Sequence, residues 1–160
     1  LKLASGFCQA CALVRAGVNL AIGTDGCASN NDLDMFSENR TAAILAKAVA
    51  NDATALDAAT TLRAATLGGA RALGFGDMIG SIEVGKQADL ACVDLSALET
   101  QPLHHVVSQL VYATGRHQVD DVWIAGRAKL RGRQLVDMDA AAIVANARQW
   151  RERIAGIRIS

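Results

Sequence analysis

Residues Leu20 to Asp34 read LAIGTDGCASNNDLD and set one acid, Asp25, between Gly23-Thr24 and Gly26, directly after an apolar run. A carboxylate carried out of the end of a strand can ligate a divalent metal through one oxygen. It can accept a proton from metal-bound water through the other. The two glycines would let backbone come close to whatever occupies a neighbouring pocket. An Asp-Gly pair equally suits a turn that the carboxylate merely caps, and the pattern leaves both readings of Asp25 open.

The other chemically capable residues form weaker sets. Cys8 and Cys11 have Cys-x-x-Cys spacing, while Cys27 and Cys92 stand alone. A structural zinc site takes four ligands, usually as two such pairs, and no second pair exists. Phe7, Cys11 and Val14 fall at helical spacing with Cys8 and Ala12 beside them, so both thiols are expected to pack on a buried helix face. His104, His105 and His117 lie far along the chain from Asp25. Neighbours on a strand face opposite ways, so His104 and His105 are read as surface or sheet residues, not joint ligands. Asn30 and Asn31 read as helix-capping groups or as loop groups facing a substrate. GKQADL, Gly85 to Leu90, lacks the spaced glycines and hydroxyl of a phosphate-binding loop and reads as a turn entering a strand. Trp123 and Trp150 sit in apolar runs of matching period and are expected in the core.

The elements that must position these residues change character along the chain. Gly6 to Ala16 reads as a helix closed by Gly17 at C′. Val18 to Ile22 reads as a short buried strand, and Asp32 to Ala50 as a long helix with Asp32 and Asp34 in its first turn and Leu33, Phe36, Ile44 and Ala48 on its apolar face. TALDAATTLRAATLGGARALG then predicts two short helices, the first capped by Thr54 and the second closed by Gly74. From Phe75 the signals turn to β: SIEVGKQADLACVDL, SQLVYATG and VDDVWIAGRAKLRGRQLV. Asp137 to Ile154 reads as a helix with Ile143, Ala147, Trp150 and Ile154 on one face. The boundary near Phe75 divides the chain into 1–74 and 75–160.

Composition excludes several classes. The chain has 160 residues, 51% hydrophobic and 20% charged, enough for a sizeable core. Lys+Arg and Asp+Glu each number 16, giving a formal net charge of zero. With no basic stripe, no nucleic-acid partner is expected. No apolar run approaches the ~18 residues of a membrane span and no signal-peptide pattern opens the chain, so a cytoplasmic protein without a membrane partner is expected. The chain starts at Leu1 and enters an α/β pattern within a few residues. That is the expectation for a piece of something longer.

VNLAIGTDGCASNNDLDMFSENRTAAILAK, LGFGDMIGSIEVGKQADLACVDL and VSQLVYATGRHQVDDVWIAGR together resemble the carboxy-terminal part of the amidohydrolase superfamily. Within it they resemble the deaminases acting on 5-methylthioadenosine and S-adenosylhomocysteine, in the branch that also holds the triazine chlorohydrolases. The resemblance implies an α/β fold: residues 1–74 as the last part of a metal-dependent (β/α)8 barrel, with Leu1 to Gly6 after its seventh strand and Val18 to Ile22 as the eighth. It implies that residues 75–160 contribute to a small β-sandwich domain and a terminal helix. Asp25 is then catalytic, substrate-binding and a ligand to one divalent metal, zinc or alternatively iron. The implied reaction is attack of metal-bound hydroxide on the amine-bearing ring carbon of an adenine nucleoside, the small-molecule partner, with loss of ammonia. The family's histidine ligands come from earlier barrel strands and have no counterpart here. One carboxylate cannot hold a catalytic metal alone, so the 160-residue chain is expected to be inactive by itself, to need the amino-terminal part of the barrel as its partner, and to be open to homo-oligomer formation. A guanine deaminase, a triazine chlorohydrolase or a non-catalytic assembly piece are the alternatives.

Overall fold

A computed structural model describes residues 2–156; Leu1 and residues 157–160 lie outside the described residues. Several of its helices begin at a side chain that accepts a free backbone N–H or end at a left-handed residue. Helix α1, Ala10–Arg15, ends in a Schellman motif: Gly17, at φ +75°, donates to the Val14 carbonyl, and Val18 to that of Leu13. Helix α2, Met35–Ala50, starts at Asp34, whose carboxylate accepts the Phe36 N–H at 3.0 Å. Helix α3, Ala58–Arg63, is capped by Asp57, which accepts the Thr60 N–H at 2.9 Å.

Two expectations shift accordingly. The cap of α3 is Asp57 and not Thr54, which instead bonds the Asp52 carboxylate within the preceding turn. In α2, Asp34 is the cap, while Asp32 lies ahead of the helix, leaving Glu38 as the acid of the first turn. The expected pair of short helices is one helical run. A π-helical turn, Ala64–Gly68, joins α3 to α4, Gly69–Ala72, and a second Schellman motif at Gly74 closes it, with Phe75 donating to Ala70 and Gly74 to Arg71.

Small side chains make the helical core. Ala43 of α2, Ala58 of α3 and Val111 of helix α5, Val106–Tyr112, form a buried cluster, with Leu62, Val107 and Tyr112 against it. The segment SQLVYATG, expected as β, instead carries the Ser108–Tyr112 part of α5 and the residues just after it. The His105 Nδ1 accepts the Ser108 N–H at 3.1 Å to cap it, and full burial of Val111 outweighs the β preference of Val and Tyr, which depends on context. Lys47 closes one side of this cluster by donating to the Ala55 and Leu56 carbonyls at 2.6 and 3.1 Å. The buried stripe of α2 is Asn39, Ala43 and Ala46, so the expected apolar face is displaced. Ile44 and Ala48 are exposed, and Leu33 lies before the helix at φ +52°.

The β portion is one antiparallel four-stranded sheet in chain order: β1 Leu90–Val93, β2 Val119–Ile124, β3 Arg127–Arg131 and β4 Gln134–Leu135. Both tight hairpins turn through two left-handed residues, Ala125-Gly126 and Gly132-Arg133, the type I′ geometry that matches strand twist. The Gly85 turn precedes β1 as expected. Among the described residues a single sheet stands where two would make a sandwich.

Val18 to Ile22 is not a strand. Among the described residues no segment pairs with it in a ladder; it runs alongside the helical run 58–72 instead. Trp150 is also not in the core. Helix α6, Ala140–Ala155, forms with Asp139 as its cap, but none of its residues is buried and Trp150 is 53% exposed. Trp123 on β2 is half-buried. Leu73, Ile82, Val84, Ile143 and Ile154 add further exposed apolar side chains. Apolar surface on this scale favours association. The 160-residue chain on its own should therefore self-associate in sedimentation experiments; a compact monomer that melts cooperatively would contradict that outcome.

Candidate functional site

The backbone at Asp25 is left-handed, φ +60°, a conformation that Asp and Asn tolerate better than most residues. Asp25, and neither glycine, makes the turn. Gly23 and Gly26 lie outside the left-handed region, and a Cβ at either would meet nothing within 4 Å. The expected close approach of backbone at these glycines is therefore absent among the described residues.

The turn holds its own carboxylate. Asp25 Oδ1 accepts the Gly26 N–H at 2.7 Å, and Oδ2 accepts the Ser29 hydroxyl at 2.6 Å. The Ser29 hydroxyl, and after it the Gly26 N–H, hold the Asp25 carboxyl below the usual carboxylate range. The residue is exposed, and with its carboxyl held low it stays charged at neutral pH. Two hydrogen bonds occupy about half of the roughly four lone-pair positions of a carboxylate. Asp25 both caps its turn and keeps acceptor capacity for a further partner.

Around this turn the loop is fastened at several points. Asn30 Oδ1 accepts the Asp32 and Leu33 N–H groups, each at 3.1 Å, and its Nδ2 donates to Glu38 of α2 at 2.7 Å. Asn30 thus caps the turn before α2, not the helix itself. Asn31 Oδ1 accepts from Lys2 Nζ, which also donates to the Ala28 carbonyl. Arg116, just before β2, grips Asp32 twice, donating to its carbonyl at 2.7 Å and pairing with its carboxylate at 2.6 Å. The loop is tied to α2, to the residues preceding α1 and to the sheet portion.

Asp25 lines an open cleft of about 610 Å³, together with Cys8, Leu20, Asn30, Asp32 and Glu38 among others. Among the described residues no three His, Cys, Asp or Glu side chains gather closely enough to hold a metal ion. Asp32 and Glu38 are engaged by Arg116 and Asn30. Cys8 lies before α1 and is exposed, and Cys11 is only half-buried, so the expected burial of the pair on a helix face does not occur. The helix starts at Ala10, too late to carry Cys8, and none of its residues is buried. His104, His105 and His117 are all exposed and none is on a strand; His105 caps α5. Ser29 was not anticipated, although its place four residues after Asp25 in a turn-forming DGCAS stretch was the available signal. Arg116 carried no such signal, because its partner lies 84 residues away.

A model of the amidohydrolase family matches residues 1–129. The chain is 50% identical over 158 residues to the 5-methylthioadenosine/S-adenosylhomocysteine deaminase of Teredinibacter turnerae, a match covering 99% of this chain and 36% of the relative. Among solved structures, it is similar to an adenosine deaminase from Xanthomonas campestris with bound zinc: 86% identity and TM-score 0.96, covering 98% of this chain and 36% of that one. Atrazine chlorohydrolase from Arthrobacter aurescens, complexed with zinc, is 29% identical with TM-score 0.79, covering 85% of this chain and 30% of that one. The chain spans about a third of the length of the curated relatives it matches.

The turn around Asp25 makes a pH prediction. Its folded carboxyl titrates below its ordinary value, so the turn contributes stability that is fully present above the ordinary range and is lost as pH falls through the depressed value. Ser29→Ala removes the largest cause and should move the Asp25 titration up toward the ordinary range. Carboxyl-carbon NMR titration checks this, and an unmoved titration would show that Ser29 does not hold the charge.

Proposed function

The chain belongs to the amidohydrolase family, and from that membership we propose that it forms the carboxy-terminal third of a metal-dependent aminohydrolase. The enzyme would replace with oxygen the exocyclic amine of adenine nucleosides of the 5-methylthioadenosine and S-adenosylhomocysteine type. The observation that carries this reading is the ionised Asp25 carboxylate, held by its own turn at a cleft and left with acceptor capacity. The deaminases named among the relatives support the substrate class.

In this reading residues 1–74 complete a (β/α)8 barrel, with the extended segment 18–22 becoming the eighth strand once a neighbouring strand pairs with it. Residues 75–160 give their sheet to a small β-sandwich and add the terminal helix. The remaining two thirds of the protein cover the exposed apolar faces. Four free thiols fit a reducing compartment, and we place the enzyme in the cytoplasm.

The donor chemistry of Asp25 fits one place in a divalent-metal site. A catalytic zinc takes three protein ligands, so the other ligands belong to the part of the barrel outside this chain. The zinc in the Xanthomonas structure supports zinc over iron. Bound metal would supply the Lewis acidity that readies a water for attack on the amine-bearing ring carbon. Asp25 would hold the ion with one carboxylate oxygen and take the proton of that water on the other, passing it toward the departing ammonia. Ser29 and Gly26 keep the carboxylate charged and aimed. The 160-residue chain alone would be inactive.

Asp25→Asn in the complete enzyme separates the two duties of this side chain. Asn caps nearly as well as Asp and adopts the same left-handed backbone, but it lacks charge and a proton acceptor. Ammonia release from 5-methylthioadenosine should fall by about 10²- to 10⁴-fold, zinc retention should weaken, and the metal-free forms should melt alike. Near wild-type turnover by the Asn variant would overturn the assignment. A wild-type enzyme that dechlorinates a triazine faster than it deaminates the nucleoside would move the substrate class to that of the chlorohydrolase relative.

A further inference from the structure

Between Gly23 and Asp25, among the described residues, no backbone group bonds outside its own turn, so on its amino-terminal side the turn that holds the carboxylate is placed by what fixes the segment just before it. That segment, Val18 to Ile22, lies on the π-helical turn Ala64–Gly68. The Ile22 N–H donates to the Ala64 carbonyl at 3.2 Å, and Asn19 Nδ2 donates to the Gly68 carbonyl at 2.9 Å. These carbonyls stand at the two ends of the π turn. Widened turns of this kind open the regular helical ladder and are frequent at functional sites. Within it the Thr66 hydroxyl donates to the Leu62 carbonyl at 2.8 Å.

The fit leaves no room for a side chain. Gly68 is buried, and a Cβ built on it would overlap the Leu20 carbonyl oxygen while lying 3.1 Å from the Arg63 carbonyl oxygen. Both neighbours are backbone, so neither can turn aside as a flexible side chain would. Gly68 needs no left-handed conformation here; it is glycine for close approach alone.

We propose that the π turn is a seat for the strand-like segment, and that Gly68 and Asn19 are positioning residues that set the reach of Asp25 toward its metal. This rests on the metal-ligand role proposed for Asp25. In the complete enzyme, Gly68→Ala must push residues 18–22 outward, moving Asp25 three residues beyond Ile22. Misplacement of about 1 Å costs roughly 10²-fold in rate, and loss of a group that orients a metal ligand costs roughly 10- to 100-fold in metal affinity.

The test measures zinc affinity by chelator competition, the absorption spectrum of the cobalt-substituted enzyme, and kcat and KM for ammonia release. Gly68→Ala should weaken zinc binding by about 10- to 100-fold and shift the cobalt spectrum. It should lower kcat more than it raises KM, while the metal-free protein still melts cooperatively. Combined with Asp25→Asn, it should weaken zinc little beyond Asp25→Asn alone, since both act through one ligand. If Gly68→Ala does not fold, Asn19→Ala, which removes only one hydrogen bond of the seat, should show the same pattern at about 10-fold. A folded Gly68→Ala or Asn19→Ala enzyme with wild-type zinc affinity and cobalt spectrum, or full additivity with Asp25→Asn, would overturn the proposal. Wild-type protein that binds zinc but releases no ammonia would instead refute the proposed reaction, and the seat would still be judged on zinc affinity and the cobalt spectrum.

Discussion

One backbone-on-backbone contact governs the cleft: the Leu20 carbonyl occupies the space that a side chain at position 68 would need. A helix normally presents side chains to its neighbours and keeps its carbonyls for its own ladder. Here the π turn and a buried glycine let an extended segment lie directly on the helical run. Everything from Gly23 to Asp34 then departs from a fixed starting point and arrives at a fixed end, the Asp34 cap of α2. The small-residue core formed by Ala43, Ala58 and Val111 packs α2, α3 and α5 together.

The loop between those two points is fastened by bonds of its own. Asp25, Asn30 and Asp34 each bond backbone N–H groups one to three residues on, so a stretch without helix or strand has little freedom left. Lys2 and Arg116 fasten it from either side. The Arg116 guanidinium reaches both the carbonyl and the carboxylate of Asp32, the forked geometry that distinguishes arginine from lysine. Because this pair is exposed, its stabilising contribution is small and sensitive to salt. Its weight is geometric, as a link between the sheet portion and the loop.

Signals that act within a few residues were legible in the sequence. Gly17 and Gly74 mark helix ends where Schellman motifs form, the two Gly-containing hairpin tips mark β2 to β4, and the GTDG stretch marks the turn that presents its carboxylate. Signals that depend on distant partners were not. Val18 to Ile22 has the composition of a buried strand, yet a strand exists only where another pairs with it. Val111 and Tyr112 favour strands locally, but a fully buried valine among two alanines decides for helix. Trp150 has the right period for a core residue, yet it stays 53% exposed, with the Arg153 guanidinium over its ring. The site divides in the same way: Asp25 stands out in the sequence, whereas Gly68, 43 positions later, is one glycine of an unremarkable GG pair whose role appears only when Leu20 lies against it.

The left-handed backbone at Asp25 also limits what could ever replace it. The conformation itself admits Gly, Asn and Asp with little strain and penalises larger or β-branched residues. Only Asp and Glu would keep a negative charge at the cleft. Glu keeps the charge at a backbone cost and Asn keeps the backbone without the charge, so neither the longer acid nor the neutral amide is a conservative exchange at this position. The shape of the turn and the charge of the carboxylate each favour more than one residue, and Asp is the one that both favour.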